Sequence, residues 1–493
     1  MSIVMMRRVG ATAFLALAAS VSLSSCSPEK LVGNAPLPPD VPDPAQTHTP
    51  AGALAAYRGA LLLFRTAVGG DATSMIPMSG MLTDELRSGD LGQIGNVSAG
   101  MLVDSRFMPE YGGSGQDNTT PFPVRNVYGL LQKARGQARE SRGALMAFIP
   151  AGSNALQGHL YALEAYSEVY LADLFCSGIP LSTLDYGKDF TYEPGSKTID
   201  VYKTAVTLFD SALTLAADSD RILNFARVGK ARALLDMGDY ANAATAVASV
   251  PDDFQYALLY IQSASSGDIS LLNRSFAYSG FNHISLINSD LILTMVDAEG
   301  GNGLPFMSSG DPRTAWVDNG VNQYGREFVY PAKYSINGDG PIVVASGIEA
   351  RLIQAEAKLQ TNDGAWLTIL NGLRTDGTFD TRQDPNDSTK TDTLWHAGTG
   401  GVAGLAPLPD PGTPDGSVTL VFQERGYWLF LTGTRQGDLR RLIRQYGRQP
   451  NRVYPTGPYP GAFNTYGNDV TAPIPGDERI SNPLFTGCQG RGA

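Results

Sequence analysis

Apolar side chains recur at helical spacing through most of the first half of this chain. After Pro121, the residues Val127, Leu130, Leu131, Ala134, Ala138, Leu145 and Phe148 share one face, and Pro150 closes the run. Leu156, Leu160, Leu163, Tyr170 and Leu174 line one side of a helix over 155–175. Val201, Ala205, Leu208, Ala212 and Leu215 do the same over 199–217. Residues 51–68 predict a first helix, and 223–237 with 240–250 predict a pair. A further pair is predicted at 349–374 and the last at 418–446, joined at Thr432-Gly433-Thr434.

That last hairpin mixes apolar and charged positions. Its first helix is apolar nearly all round, with Val418, Leu420, Val421, Phe422, Tyr427, Trp428, Leu429, Phe430 and Leu431. A helix without a polar stripe is buried, yet Glu424 and Arg425 sit in its middle. Buried charges need partners. The second helix offers Arg435, Asp438, Arg440, Arg441 and Arg444 beside an apolar face of Leu439, Leu442, Ile443 and Tyr446. The pattern predicts a core hairpin stitched by a structural charge network of Glu424, Arg425, Arg435, Asp438, Arg440 and Arg441.

Elsewhere the periodicity breaks down. Residues 262–341 are rich in Asn, Ser, Gly and aromatics, with short strands predicted at 327–330 and 342–345 and a helix at 284–298. Residues 375–416 read as one long loop, and segments of that length are functional or disordered. Residues 107–123 also read as loop. The stretch from Gly229 to Ala243, closed by Pro251, resembles a tetratricopeptide repeat: a Gly turns the chain, a small Ala lets the second helix approach, and a Pro stops it. The fold expected is mostly α, with tetratricopeptide-like helix pairs forming a scaffold, a long loop-rich ligand face and a few short strands.

Composition sharpens this picture. The chain has 493 residues and a net charge of −11, which argues against nucleic acid or anionic membrane surfaces as partners. Only 17% of residues are charged, while Gly and Pro number 55 and 31, as in a loop-rich exported protein. The N-terminus agrees. Arg7 and Arg8 precede a short apolar run, 9–23, too short to span a bilayer. Leu23-Ser24-Ser25-Cys26 then resembles a bacterial lipobox, in which Cys26 carries the lipid anchor. Residues 1–25 are read as a lipoprotein signal peptide and 26–48 as a Pro-rich tether. A helical part over 49–260 and a loop-rich part over 261–493 follow. Of the three cysteines, Cys176 and Cys488 remain. In an exported protein they favour a disulfide, with two free thiols as the alternative.

Catalytic signals are weak. The histidines His48, His159, His283 and His396 are scattered, and no zinc, nucleophile-elbow or phosphate-loop motif occurs. No catalytic residue, metal or cofactor is expected. Asp84-Glu85 and Asp252-Asp253 read as solvated surface acids, and the acidic loop Asp376 to Asp392 lacks the spacing of a calcium loop. Aromatics in loops carry the better ligand signal, because sugar C–H faces stack on them. The candidates are Phe107, Tyr111, Trp316, Tyr324, Tyr330, Tyr334 and Trp395.

Four stretches in order resemble the SusD/RagB family of surface lipoproteins: the lipobox at Cys26; Tyr170 to Leu181, where Phe175 and Cys176 stand for the family's Tyr-Gly; Asp311-Pro312-Arg313 with Glu349 to Ala357; and Glu424-Arg425 with Asp438-Leu439-Arg440-Arg441, Ala472-Pro473-Ile474-Pro475 and Asn482-Pro483. The resemblance implies a non-enzymatic lipoprotein of the cell outer membrane, facing the exterior and held there by its lipid alone. It implies binding of oligosaccharides and their delivery to a SusC-like TonB-dependent barrel. Peptide binding and a surface glycoside hydrolase are the alternatives.

Overall fold

The structure, a computed structural model, describes residues 48–71, 73–88, 99–109, 120–260, 284–285, 303–306, 308–321, 327–331, 334, 340–375, 380–384, 387–394, 405–459 and 465–493. Cys26, the signal-peptide segment and the tether up to residue 47 lie outside these residues. So do Tyr111, Tyr324 and Trp395, and the side chains of Trp316 and Tyr330.

Helix α1 (Pro50–Arg65) runs into one π turn, Thr66–Gly70. α2 (Met75–Leu82) is buried along its whole length. The two-residue strand β1 (Arg87–Ser88) and α3 (Ala99–Asp104) follow. The scaffold then builds from α4 (Phe122–Phe148), α5 (Asn154–Leu174), α6 (Thr198–Leu215), α7 (Asp220–Asp236) and α8 (Tyr240–Ala246), each packed on the next. These follow the apolar periodicity closely. α5 lies at the centre, with nearly every residue from Gln157 to Leu174 buried. Glycine permits the close approach of α7: a Cβ at Gly229 would collide with the rings of Phe209 and Tyr166. Gly238, at φ +81°, ends α7, and Asp239 caps α8 by accepting from Asn242 N. The repeat-like Gly-Asp-Tyr therefore has a local physical cause.

Between α5 and α6 lie β2 (Ile179–Pro180), β3 (Thr183–Leu184), β4 (Phe190–Thr191) and β5 (Gly195–Ser196), paired β2 with β5 and β3 with β4. Beyond α8 come β6 (Gln255–Leu258), β7 (Ile284–Ser285), β8 (Trp316–Val321), β9 (Glu327–Pro331) and β10 (Ile342–Ser346). β10 pairs with β6, β8 with β9, and β1 with β7, all antiparallel. Every sheet among the described residues is two-stranded. The predicted strands at 327–330 and 342–345 are present. The helix predicted from 284 is corrected at its start: Ile284 and Ser285 are a strand, because the backbone of Arg87 and Ser88 offers them a ladder partner.

α9 (Gly347–Gln360) and α10 (Ala365–Thr375) form the second predicted pair. Ser346 caps α9 through Glu349 N. The segment expected to be one long loop contains a hairpin, β11 (Asp380–Asp384) and β12 (Asp387–Leu394). Thr389, Thr391 and Thr393 favour strand. α11 (Pro414–Trp428), α12 (Arg435–Arg444) and the short α13 (Gly476–Ser481) complete the chain. The main apolar core gathers side chains from α1 through α8, and a second gathers α9 to α12 around Leu352, Trp366, Phe422, Trp428 and Leu439.

Cys176 and Cys488 are bonded, with Cα atoms 5.8 Å apart and 312 residues of sequence between them. The same C-terminal segment pairs Gly490 with Ser177, and Ala472 bridges Phe175. The tail is thus laid along the end of α5.

Candidate functional site

The α11–α12 hairpin carries a network of buried ions, and its wiring differs from the one expected. Within the hairpin the stitch is Arg425 to Asp438, two hydrogen bonds of 2.9 and 2.8 Å. Glu424 bonds none of the arginines on α12. It accepts from Arg313 at 2.7 and 3.1 Å, from Arg374 at 2.7 Å and from the Trp428 indole at 3.1 Å. Arg313 also holds Asp311, which caps the Pro312–Thr314 turn, so Asp-Pro-Arg is a positioned cation for Glu424. Arg441 reaches three carboxylates, Glu356, Asp236 and Asp438, each at 2.8 to 2.9 Å. Arg440 pairs with no carboxylate; it donates to the carbonyls of Ala172 and Asp173 at the end of α5, where a cation is favoured. Arg232 of α7 holds Glu349 of α9 with two 2.8 Å bonds. The network thus ties α5, α7, α9, α10, α11 and α12 together.

Two readings from sequence are corrected here. Asp84 and Glu85 are not solvated: they are 0% and 3% exposed. Asp84 accepts two bonds from Arg435, at 2.7 and 2.6 Å. Glu85 accepts from Leu431 N at 2.8 Å. The reason lies upstream, where the wholly buried α2 carries the acids that follow it into the core. Tyr334 is the second correction. It is 2% exposed and its hydroxyl donates to Leu431 O at 2.8 Å, so its ring packs in the core and offers no stacking face. Leu431 itself adopts φ +54°, uncommon for a residue other than glycine. Its N–H and C=O are held by Glu85 and Tyr334 respectively, which fixes that conformation. Asp252 and Asp253 are exposed, as expected.

Phe107 is different: it is 57% exposed. It follows α3 on a rigid corner. Arg106 stands at φ +57° and is buried. Its guanidinium donates to Asp469 O at 2.9 Å and to Pro455 O, and lies 4.9 Å over the Tyr454 ring. Met108 N donates to Asp469 Oδ2 at 2.6 Å, and Gly467 N to Ser105 O at 2.7 Å. Tyr459 packs edge-on against Tyr466 and donates to Asp104 at 2.8 Å. Gly467 has to be glycine, since a Cβ would strike the Arg106 carbonyl. An exposed ring is therefore presented on a backbone locked from both sides. Sequence reasoning named Phe107 and missed the supporting set Arg106, Asp469, Tyr454 and Tyr459, for which no local pattern gives a signal. Trp316 and Tyr330 lie on the paired strands β8 and β9, with Val317 opposite Tyr330 in register.

No family model matches the chain, and no curated protein matches it. Solved structures do. A SusD-like carbohydrate binding protein from Bacteroides vulgatus is 16% identical with a TM-score of 0.53, covering 89% of this chain and 97% of that one. A SusD superfamily protein from Parabacteroides distasonis is 14% identical at a TM-score of 0.58, covering 89% and 99%. Another from Bacteroides thetaiotaomicron is 15% identical at 0.56, covering 90% and 99%. This chain is built on the SusD-like fold.

Proposed function

We propose that the protein is a surface-exposed lipoprotein of the outer membrane. It binds oligosaccharides and passes them to a SusC-like TonB-dependent transporter, without chemistry of its own. The observation that carries this reading is the SusD-like fold over 89% of the chain, shared with a carbohydrate binding protein. Cys26 in its lipobox supplies the anchor, and Phe107 on its locked corner supplies a stacking face. Among the described residues no three His, Cys, Asp or Glu side chains gather as a metal site, and the buried carboxylates of the hairpin network are taken up by arginines.

A glycan array followed by calorimetry on the purified protein tests it. At least one oligosaccharide should bind, and Phe107→Ala should weaken that binding about threefold to tenfold with the melting temperature unchanged. Binding of peptides with no glycan bound would transfer the role to peptide capture. Shortened products released from a bound glycan would make the protein a hydrolase and overturn the reading.

A further inference from the structure

Asp469 holds the Phe107 corner in three places. Its N–H donates to Arg106 O at 3.2 Å, its C=O accepts from Arg106 Nε at 2.9 Å, and its Oδ2 accepts from Met108 N at 2.6 Å. What fixes Asp469 comes in turn from the C-terminal tail. Arg491 Nη2 lies 2.9 Å from the same Oδ2, and Arg491 Nη1 donates to Met108 O at 2.9 Å. One guanidinium therefore spans both partners of the Met108–Asp469 bond. Burial lifts the Asp469 carboxyl above its ordinary range, and the Met108 N–H and Arg491 pull against that rise.

The tail itself needs holding. From Thr486 to Ala493 no residue is fully buried. A surface segment kept in place mainly by exposed hydrogen bonds opens at little cost. The bonds here run from Gln489 N to Ser177 O at 2.7 Å, from Ser177 N to Gly490 O at 3.0 Å, and from Thr471 Oγ1 to Arg491 O at 3.0 Å. The Cys176–Cys488 bond adds a covalent hold just before Arg491. Cys176 N also donates to Ala472 O at 2.9 Å, and Ala472 N to Leu174 O at 2.8 Å. Two routes thus lead from the end of α5 to the corner, one through Ala472 to Asp469 and one through Cys488 to Arg491. They close on each other at the Arg491–Asp469 pair.

We propose that Arg491 is a positioning residue for the Phe107 face and that the Cys176–Cys488 bridge keeps Arg491 in place. The residue type matters: a guanidinium fork reaches a carbonyl and a carboxylate at once, which the point charge of a lysine does less well. The proposal rests on the reading of Phe107 as a stacking face, but its test needs no glycan.

Backbone amide exchange in D2O, followed by mass spectrometry on the full chain, tests it. The amides of Arg106, Phe107 and Met108 are all bonded, to Val103 O, Leu102 O and Asp469 Oδ2. In Arg491→Gln, peptides covering 105–109 should exchange about tenfold faster, while β10, paired with β6, keeps its rate. Arg491→Lys should recover part of the loss. Cys176→Ser combined with Cys488→Ser should speed exchange at 105–109 about threefold or more, together with 486–493. Should that double variant fail to fold, the wild type reduced after folding takes its place. Unchanged exchange at 105–109 in Arg491→Gln overturns the proposal. An equal rise at β10 also overturns it, since the effect would then be a general loss of stability. Acceleration in Arg491→Gln with none on loss of the bridge would overturn the role given to the disulfide. A corner that loosens as expected, with no glycan bound on the array, would uphold this support of the corner and fell only the oligosaccharide reading.

Discussion

Between α4 and α5, Arg135, Arg139 and Arg142 face Glu164 and Glu168; around α9, α11 and α12, Arg425 and Arg441 face Glu356 and Asp438. Both settings are buried and both are rich in arginine. Glu168 and Asp438 are each only 1% exposed. Their carboxyls nevertheless shift in opposite directions. Burial raises both. For Asp438 the contacts from Arg425 and Arg441, at 2.8 to 2.9 Å, outweigh burial and hold it below the usual carboxylate range. Glu168 has Arg135 at 3.8 Å and an Oε2 with no partner, so burial wins and pushes it up to about 8. Arg135 spends its donors on Gln132 and on Ser182 O. Hydrogen-bond geometry, more than the number of nearby cations, decides whether a buried acid is charged.

The strongest way to break this contrast is Asp438→Asn. It takes from buried Arg425 its only hydrogen-bonded carboxylate and from Arg441 one of three, and should cost about 3–5 kcal/mol in urea unfolding at pH 7. A loss under about 1 kcal/mol would mean that the network contributes no more than an exposed pair.

Glu168→Gln sharpens the other side. From about pH 4.5 to 8 the folded protein keeps a proton that the unfolded chain gives up, so this group makes stability fall as pH rises through that window. The variant should lose that slope and at pH 8 should be no less stable than the wild type. A variant that is less stable at pH 8 would show that Glu168 is charged there. The smallest effect is expected at the exposed pair Lys203–Asp200, 3.2 Å apart. Lys203→Ala should change stability by less than about 0.5 kcal/mol, which sets the baseline for the other two.

The helical scaffold was legible because its signal is local. Apolar spacing located α4 to α10, and Gly238-Asp239 located a turn. The buried hairpin was legible too, with Glu424 and Arg425 on an otherwise apolar helix as the mark. Its partners were less so. Glu356 carried a usable sign, flanked by Ala355 and Ala357 on a core helix, but Arg313 and Arg374 meet Glu424 only through tertiary packing. Asp84 and Glu85 misled because adjacent acids at a helix end look solvated until the helix before them is seen to be buried. The aromatic set divided for the same reason. Nothing local distinguishes the exposed ring of Phe107 from the buried ring of Tyr334, since each is placed by contacts with residues 97 or more positions away.

Leu431 shows what such dependence means for modularity. Its N–H is satisfied from Glu85, 346 residues away in sequence, and its C=O from Tyr334, 97 residues away. A fragment spanning α11 and α12 alone would contain neither. The bend that most looks like a self-contained helical hairpin is therefore not portable: grafted onto another scaffold, it would leave behind both contacts that hold its turn.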